Sequence, residues 1–295
     1  MSWQERPGAQ RMRDGRLRLI HGPIDLIVAC QGAPDRVEAA YRRAQAAFAP
    51  VLSDLVAELP RLRAATGPGP TGAVARNMAD TVERFSPAFV TPMAAVAGAV
   101  ADHLLRCVLT PDHGLACLHI NNGGDIALWT EGPVLRVAIC DDPTTGRIVS
   151  HAGVGPGDGI GGVATSGWRG RSQSLGIADA VTVLAATAAL ADAAATLIAN
   201  AVDVPGHPGI TRVPANRLAP DSDLGDRLVT TDVGALSSSD KAAAVSRGQA
   251  VARDFANRGL IAAAYLSCQG VRRTVTRQVL PRKAGEKRLK EVIHA

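Results

Sequence analysis

The stretch GLACLHINNGGDIALWTEGPVLRVAIC, residues 114–140, decides the fold. It holds three short apolar runs: Gly114–Asn121, Ile126–Thr130 and Val134–Cys140. Asn121-Asn122-Gly123-Gly124-Asp125 turns the chain between the first two, and Glu131-Gly132-Pro133 between the last two. Strands this short, joined this tightly, pair antiparallel. Asp141–Gly146 forms another turn, and Arg147–Ser150 begins a further strand.

Upstream, Arg16–Ile20 and Ile24–Cys30 flank a His21-Gly22-Pro23 turn and read as an opening hairpin. Pro34 suits the first turn of a helix. Val37, Ala40, Tyr41, Ala44, Phe48, Val51 and Leu55 recur at helical spacing, which predicts one long helix to near Pro60. Residues 64–73 read as a loop and 74–84 as a short helix. Thr91-Pro92 starts a helix that runs to about Val108. Its small residues Ala94, Ala97, Gly98 and Ala101 let another backbone come close. Glycine weakens a helix by about 1 kcal/mol relative to alanine, so Gly98 implies a packing or site reason.

Downstream, Gly153–Gly162 reads as a glycine-dense loop, Ala178–Leu184 as a strand and Thr187–Ala201 as a helix. Val204–Asp226 is a Pro- and Asp-rich connection. Asp240 caps a predicted helix over Lys241–Asn257, Gly259 stops it, and Leu260–Cys268 is the last strand. Long helices beside short antiparallel strands make an α+β protein with helices on one face of the sheet.

The chain has 295 residues, 46% of them hydrophobic, which is enough for one large domain or two coupled lobes. The net charge of +5 is concentrated at the ends. Arg6, Arg11, Arg13 and Arg16 crowd the start, and Arg272, Arg273, Arg277, Arg282, Lys283, Lys287, Arg288 and Lys290 the finish. No nucleic-acid-binding module accompanies that charge, so these ends read as solvated tails: residues 1–14 disordered, residues 276–295 a basic tail. No apolar run is pure enough for a membrane span, and no apolar stretch follows the first arginines as in a secretory signal. A cytoplasmic location is expected. The five cysteines are widely spaced and form no Cys-x-x-Cys pair, which excludes a zinc ribbon and reads as small buried hydrophobes.

Three segments have the residue types for chemistry. Asn122, Gly123, Gly124 and Asp125 allow a ligand to approach a carboxylate closely, or simply make a hairpin turn. Gly161–Gly167, with Thr165, Ser166 and Gly167, offers backbone amides and hydroxyls for a phosphate, with Arg169 and Arg171 beyond; the alternative is a surface loop. It is neither a Walker A loop nor a dinucleotide fingerprint. Asp192 and Thr196 share a helix face at i and i+4, as hard oxygen ligands for Mg²⁺. The alternative is an exposed Asp with a Thr hydroxyl bonded one turn back. The histidines show no ligand spacing, and His151 lies nearest the glycine-rich segment.

The order of these segments is more specific than any one of them. Asn122-Gly123-Gly124-Asp125, Asp142-Pro143, Ala164-Thr165-Ser166-Gly167, Val181-Thr182-Val183 and Asp192 to Thr196 follow one another as in the ApbE-like superfamily of FAD-dependent protein flavinyltransferases, which the chain resembles over residues 15–275. Pro92–Gly98, Ser172–Val183 and Asp221–Asp226 resemble its UPF0280 branch. The resemblance implies a duplicated T-fold-like architecture, Mg²⁺ on Asp192 and Thr196, and FAD or FMN lined by Asn122–Asp125 and Thr165–Gly167. It also implies a flavin or other phosphate-bearing small molecule as partner, and a protein acceptor. Small-residue helices add the expectation of a homodimer. Two departures stand out: Ala97-Gly98 where the transferases carry Lys-Gly, and Ser174–Asp179 where they carry His-x-x-Asp-Pro-x-x-Gly. A non-catalytic binding or assembly protein that kept the fold is the alternative reading.

Overall fold

The computed structural model describes residues 6–142, 145–170 and 172–277. The chain divides into two units. The first comprises Met1–Val134, Gly155–Ala164 and Ala185–Ala193; the second comprises Leu135–Val154, Thr165–Leu184 and Ala194–Ala295.

The chain opens with strands β1 (Gly8–Arg11), β2 (Leu17–His21) and β3 (Ile24–Gly32). Helices α1 (Pro34–Phe48), α2 (Val51–Ala57), α3 (Leu59–Leu62) and α4 (Ala73–Glu83) follow. A 3-10 turn at Pro92–Ala95 leads into α5 (Val96–Val108), then β4 (Leu115–Asn122) and β5 (Asp125–Thr130). Next come β6 (Leu135–Cys140), β7 (Ile148–Val154), β8 (Gly162–Ser166), β9 (Ala180–Ala185) and α6 (Ala188–Ala201). The chain continues through β10 (Ile210–Pro214), α7 (Ala215–Leu218), β11 (Leu228–Val233), α8 (Ser238–Asn257), β12 (Ala263–Cys268) and β13 (Val271–Thr276).

In the first unit β1 to β5 lie side by side, each antiparallel to the next. The start of β8 extends that ladder, with Val163 opposite Ile126 and Gly162 opposite Ala127. The inward residues of β2 and β3, Leu17, Leu19, Leu26 and Val28, are buried with Ala40, Ala44 and Phe48 of α1 and Val100, Ala101 and Leu104 of α5. In the second unit β12 lies antiparallel between β9 and β13, and α8 packs on β12 and β13. β6–β7 and β10–β11 are separate two-stranded sheets. The fold is mixed α+β, as the sequence predicts.

Several local expectations change. Residues 8–11, within the stretch predicted to be disordered, pair with β2. The long helix predicted from Pro34 divides, because Pro50 offers no amide to the helical ladder and its ring clashes with the preceding turn. The glycine loop predicted over 161–167 is largely strand β8. The predicted connection 204–226 contains β10 and α7. Helix α8 is capped by Ser237, whose hydroxyl accepts the Asp240 amide, and not by Asp240 itself. Gly259 does end it: with φ at +73° it lets its own amide reach Ala256 and the Leu260 amide reach Phe255. Pro143, Arg171 and residues 278–295, with most of the expected basic tail, lie outside the described residues. Among the described residues no helix is long and apolar enough to cross a membrane.

Candidate carboxylate site

The site is built where α5 and α6 begin. The first amides of a helix have no partner within it, and the aligned peptides give that end a partial positive charge. The starts of α5 and α6, both in the first unit, are each met by a carboxylate from the other of the two helices. Asp102, on α5, accepts the Ala188 amide on Oδ1 and the Ala189 amide on Oδ2, each at 2.9 Å. Thr187 Oγ1 accepts the Leu190 amide at 3.2 Å, which completes the first turn of α6. In return Asp192, on α6, accepts the Gly98 amide of α5 on Oδ2 at 3.0 Å. Asn122, at the end of β4, donates from Nδ2 to the Ala97 carbonyl at 3.1 Å. The Ala97–Gly98 peptide is thus held at its oxygen by Asn122 and at its nitrogen by Asp192.

The exchange needs the two backbones in contact. A Cβ on Gly98 would stand 2.3 Å from the Ala188 carbonyl oxygen and 2.6 Å from the Ala189 nitrogen. One on Gly162 would stand 2.2 Å from the Ala188 nitrogen. No side chain fits at either place. This is the close approach that the small residues of α5 predict.

The electrostatics are those of crowded negative charge. Asp192 is part-buried, and burial pushes its carboxyl well above the usual range. The neighbouring charge of Asp125 adds to that rise, the Gly98 amide opposes it, and Asp102 raises it further. Asp102 is 5% exposed, and burial raises its pKa too, against the pull of the Ala189 and Ala188 amides. Among the described residues no three His, Cys, Asp or Glu side chains form a metal-binding group. The chemistry of Asp192 nevertheless fits a hard divalent cation: it is a carboxylate beside a like charge, and bound positive charge would relieve both. Thr196 follows one helical turn later and is part-buried.

The other candidates divide. Asn122 and Asp125 belong to the Asp192 region. Gly123 and Gly124 form the β4–β5 turn at φ +67° and +116°, with the Gly124 amide on Asn121 Oδ1. Thr165 and Ser166 lie on β8 in the second unit, not on a phosphate-cradling loop. Thr165 Oγ1 is 2.8 Å from Thr182 Oγ1. A Cβ on Gly167 would stand 2.4 Å from the Asp179 carbonyl oxygen, so this glycine also serves a close backbone approach. His151 is exposed on β7.

Sequence reasoning missed Asp102. The signal was available: Asp102 falls at helical spacing with the small apolar residues Ala94 and Gly98, and an acid on such a face must find partners.

A second acidic cluster lies within the second unit. Arg169 Nη1 reaches Asp179 at 3.2 Å and Asp142 at 3.3 Å. Asp141 accepts the Arg272 guanidinium, with Nε at 2.9 Å, and the Tyr265 hydroxyl. Burial acts to raise Asp141, but Arg272 and Tyr265 outweigh it and hold the carboxyl below its usual range. Burial and then Asp141 push the Tyr265 phenol up. Asp179 stays raised, since burial exceeds the effects of the Gln269 amide and Arg169.

Comparison with known proteins places this geometry in a family context. The family described as AbpE bacteria matches residues 9–274. A UPF0280 protein of Methanopyrus kandleri is 41% identical over 130 residues, 43% of this chain and 48% of that protein. A UPF0280 protein of Methanosphaerula palustris is 41% identical over 125 residues, 41% of this chain and 49% of that protein. The chain spans about half the length of the curated relatives it matches. Among solved structures, the apo form of Pseudomonas stutzeri flavinyl transferase ApbE has a TM-score of 0.45 at 12% identity, over 92% of this chain and 96% of that one.

Proposed function

Because the chain belongs to the family described as AbpE bacteria, we propose that it is a Mg²⁺-dependent enzyme acting on a flavin nucleotide or another phosphate-bearing compound. The single observation that carries the reading is Asp192. Its carboxyl is raised by burial and by Asp125, and it stands on the helix that bears Thr196 one turn later. Asp192 and Thr196 would supply the oxygen ligands. The ion, when bound, would neutralise phosphoryl oxygens and so favour cleavage of a pyrophosphate. Asn122 and Asp192 hold the Ala97–Gly98 peptide from its two sides, and on this reading that peptide would border the bound phosphate. The charge of Asp125 raises the Asp192 carboxyl, and on this reading a bound cation would offset both. The reading carries with it the duplicated T-fold-like architecture that the resemblance implies, within the mixed α+β fold described above.

Thermal unfolding with FAD, with Mg²⁺ and with both tests it. Ligand at a hundred times its Kd stabilises by about 2.7 kcal/mol. The expected result is a combined shift larger than the two single shifts added, absent in D192N. No shift with any flavin or divalent metal overturns the flavin form of the reading.

A second reading has its own observation. The Asp192 carboxylate already serves as a helix cap, and Ala97 stands where the resembling transferases carry Lys. A non-catalytic binding or assembly protein would use Asp192 for structure alone. D192N would then lower stability and leave the responses to metal and flavin unchanged.

A further inference from the structure

We infer that Asp102 is a positioning residue: by holding the first two amides of α6, it sets where the Asp192 carboxylate stands against the start of α5. Both Asp102 oxygens are in use, one amide on each at 2.9 Å. Only a carboxylate accepts on both sides; an asparagine keeps one acceptor and turns an NH₂ toward the other amide. At 5% exposure, Asp102 leaves water little access to replace a lost bond. The side-chain-free surface of Gly98 meets the Ala188–Ala189 backbone, so the helices touch one turn before each carboxylate. A slip or rotation of α6 therefore lifts Asp192 from the Gly98 amide. The inference deepens the metal role proposed for Asp192 and bears on function through that reading, but the hydrogen bonds can be read without metal or flavin.

Amide spectra and hydrogen exchange of the full ¹⁵N-labelled chain test it, comparing the wild type with D102N, D192N and the double variant. In D102N the Gly98 amide is expected to lose its carboxylate-bonded chemical shift and at least tenfold of its exchange protection, matching D192N. Amides in the middle of α8 and β3 should stay protected, and the double variant should change Gly98 no further. If Asp102 only adds stability, D102N melts earlier while the Gly98 shift stays in place, and that result overturns the inference. Should D102N fail to fold, the wild type decides. The Gly98, Ala188 and Ala189 amides should open as one unit, with the same denaturant dependence and protection agreeing within about twofold. Separate opening overturns the inference. A negative FAD and Mg²⁺ titration would count against the proposed function and leave this inference standing.

Discussion

In the first unit Asp102 and Asp192 stand against helix starts; in the second, Asp141 and Asp179 stand against arginines. Both arrangements keep acids inside folded protein, where an ionised carboxylate without partners is costly. Guanidinium groups bring full positive charge and two-pronged geometry, and Asp141 falls below its ordinary pKa. Helix starts bring only partial charge and a few amides, and Asp102 and Asp192 stay above theirs. Within the arginine cluster Arg272 satisfies Asp141, whereas Asp179, more deeply buried beside Arg169, stays raised. Both acids of the helix-start cluster stay raised, and it is this cluster that the proposed reading assigns to a cation.

The strongest way to break this contrast is to separate α5 from α6. Gly98→Ala drives a methyl into backbone that cannot turn aside. A loss of about 3 kcal/mol in denaturant unfolding is expected. A near-neutral result would mean that the helices do not touch as described.

The contrast should also appear as opposite pH dependence. Asp102 has a folded pKa raised above its ordinary 3.8, so the folded state holds its proton more tightly than the unfolded chain. Its contribution is fully present below 3.8 and is lost as pH rises through the folded value, with a slope of at most about 1.4 kcal/mol per pH unit. Asp141 is lowered from 3.8, so its contribution is present above that value and is lost as pH falls through the folded pKa. Urea midpoints against pH for D102N and D141N, each subtracted from wild type, should slope in opposite directions. Slopes of the same sign would erase the distinction between the clusters.

A smaller effect is expected at Arg169. Its side chain is 35% exposed, so solvent discounts the ion pair with Asp179. Arg169→Ala should cost about 1 kcal/mol and raise the Asp179 pKa further, read from its carboxyl carbon resonance. The smallest is Ser237→Ala, which removes a cap supplied by the chain just before its own helix. About 0.5–1 kcal/mol is expected in the unfolding free energy, with no change at the Gly98 amide.

Local devices are legible in the sequence, and long-range pairs are not. The Ser237 region, Gly259 and the β4–β5 turn are local devices, and their residue types announce them within a few positions. Pro50 was equally local, but the helical spacing of Val51 and Leu55 across it concealed the break. Gly161–Gly167 looked like a loop because glycine is read as punctuation. Its glycines are instead places where a strand runs against other backbone, such as Ala186 and Thr187, which no local pattern names. Asp192 was legible as an acid in an apolar helix. Its partner amide lies 94 positions away, and the amides of Asp102 lie 86 and 87 away. Only folding brings such pairs together, so residue type could raise the question of partners but not answer it.

The exchanged caps fix a residue count in each helix. In α5 the capped amide and the capping acid are Gly98 and Asp102; in α6 they begin at Ala188 and end at Asp192. Both intervals are one helical turn. Inserting or deleting a single residue inside either interval would swing its acid about 100° around the helix and strand the donors of the opposite one. Substitutions there are a matter of degree. A change in length is not, so in alignments of related chains these two intervals should be gap-free even where the residues between them vary.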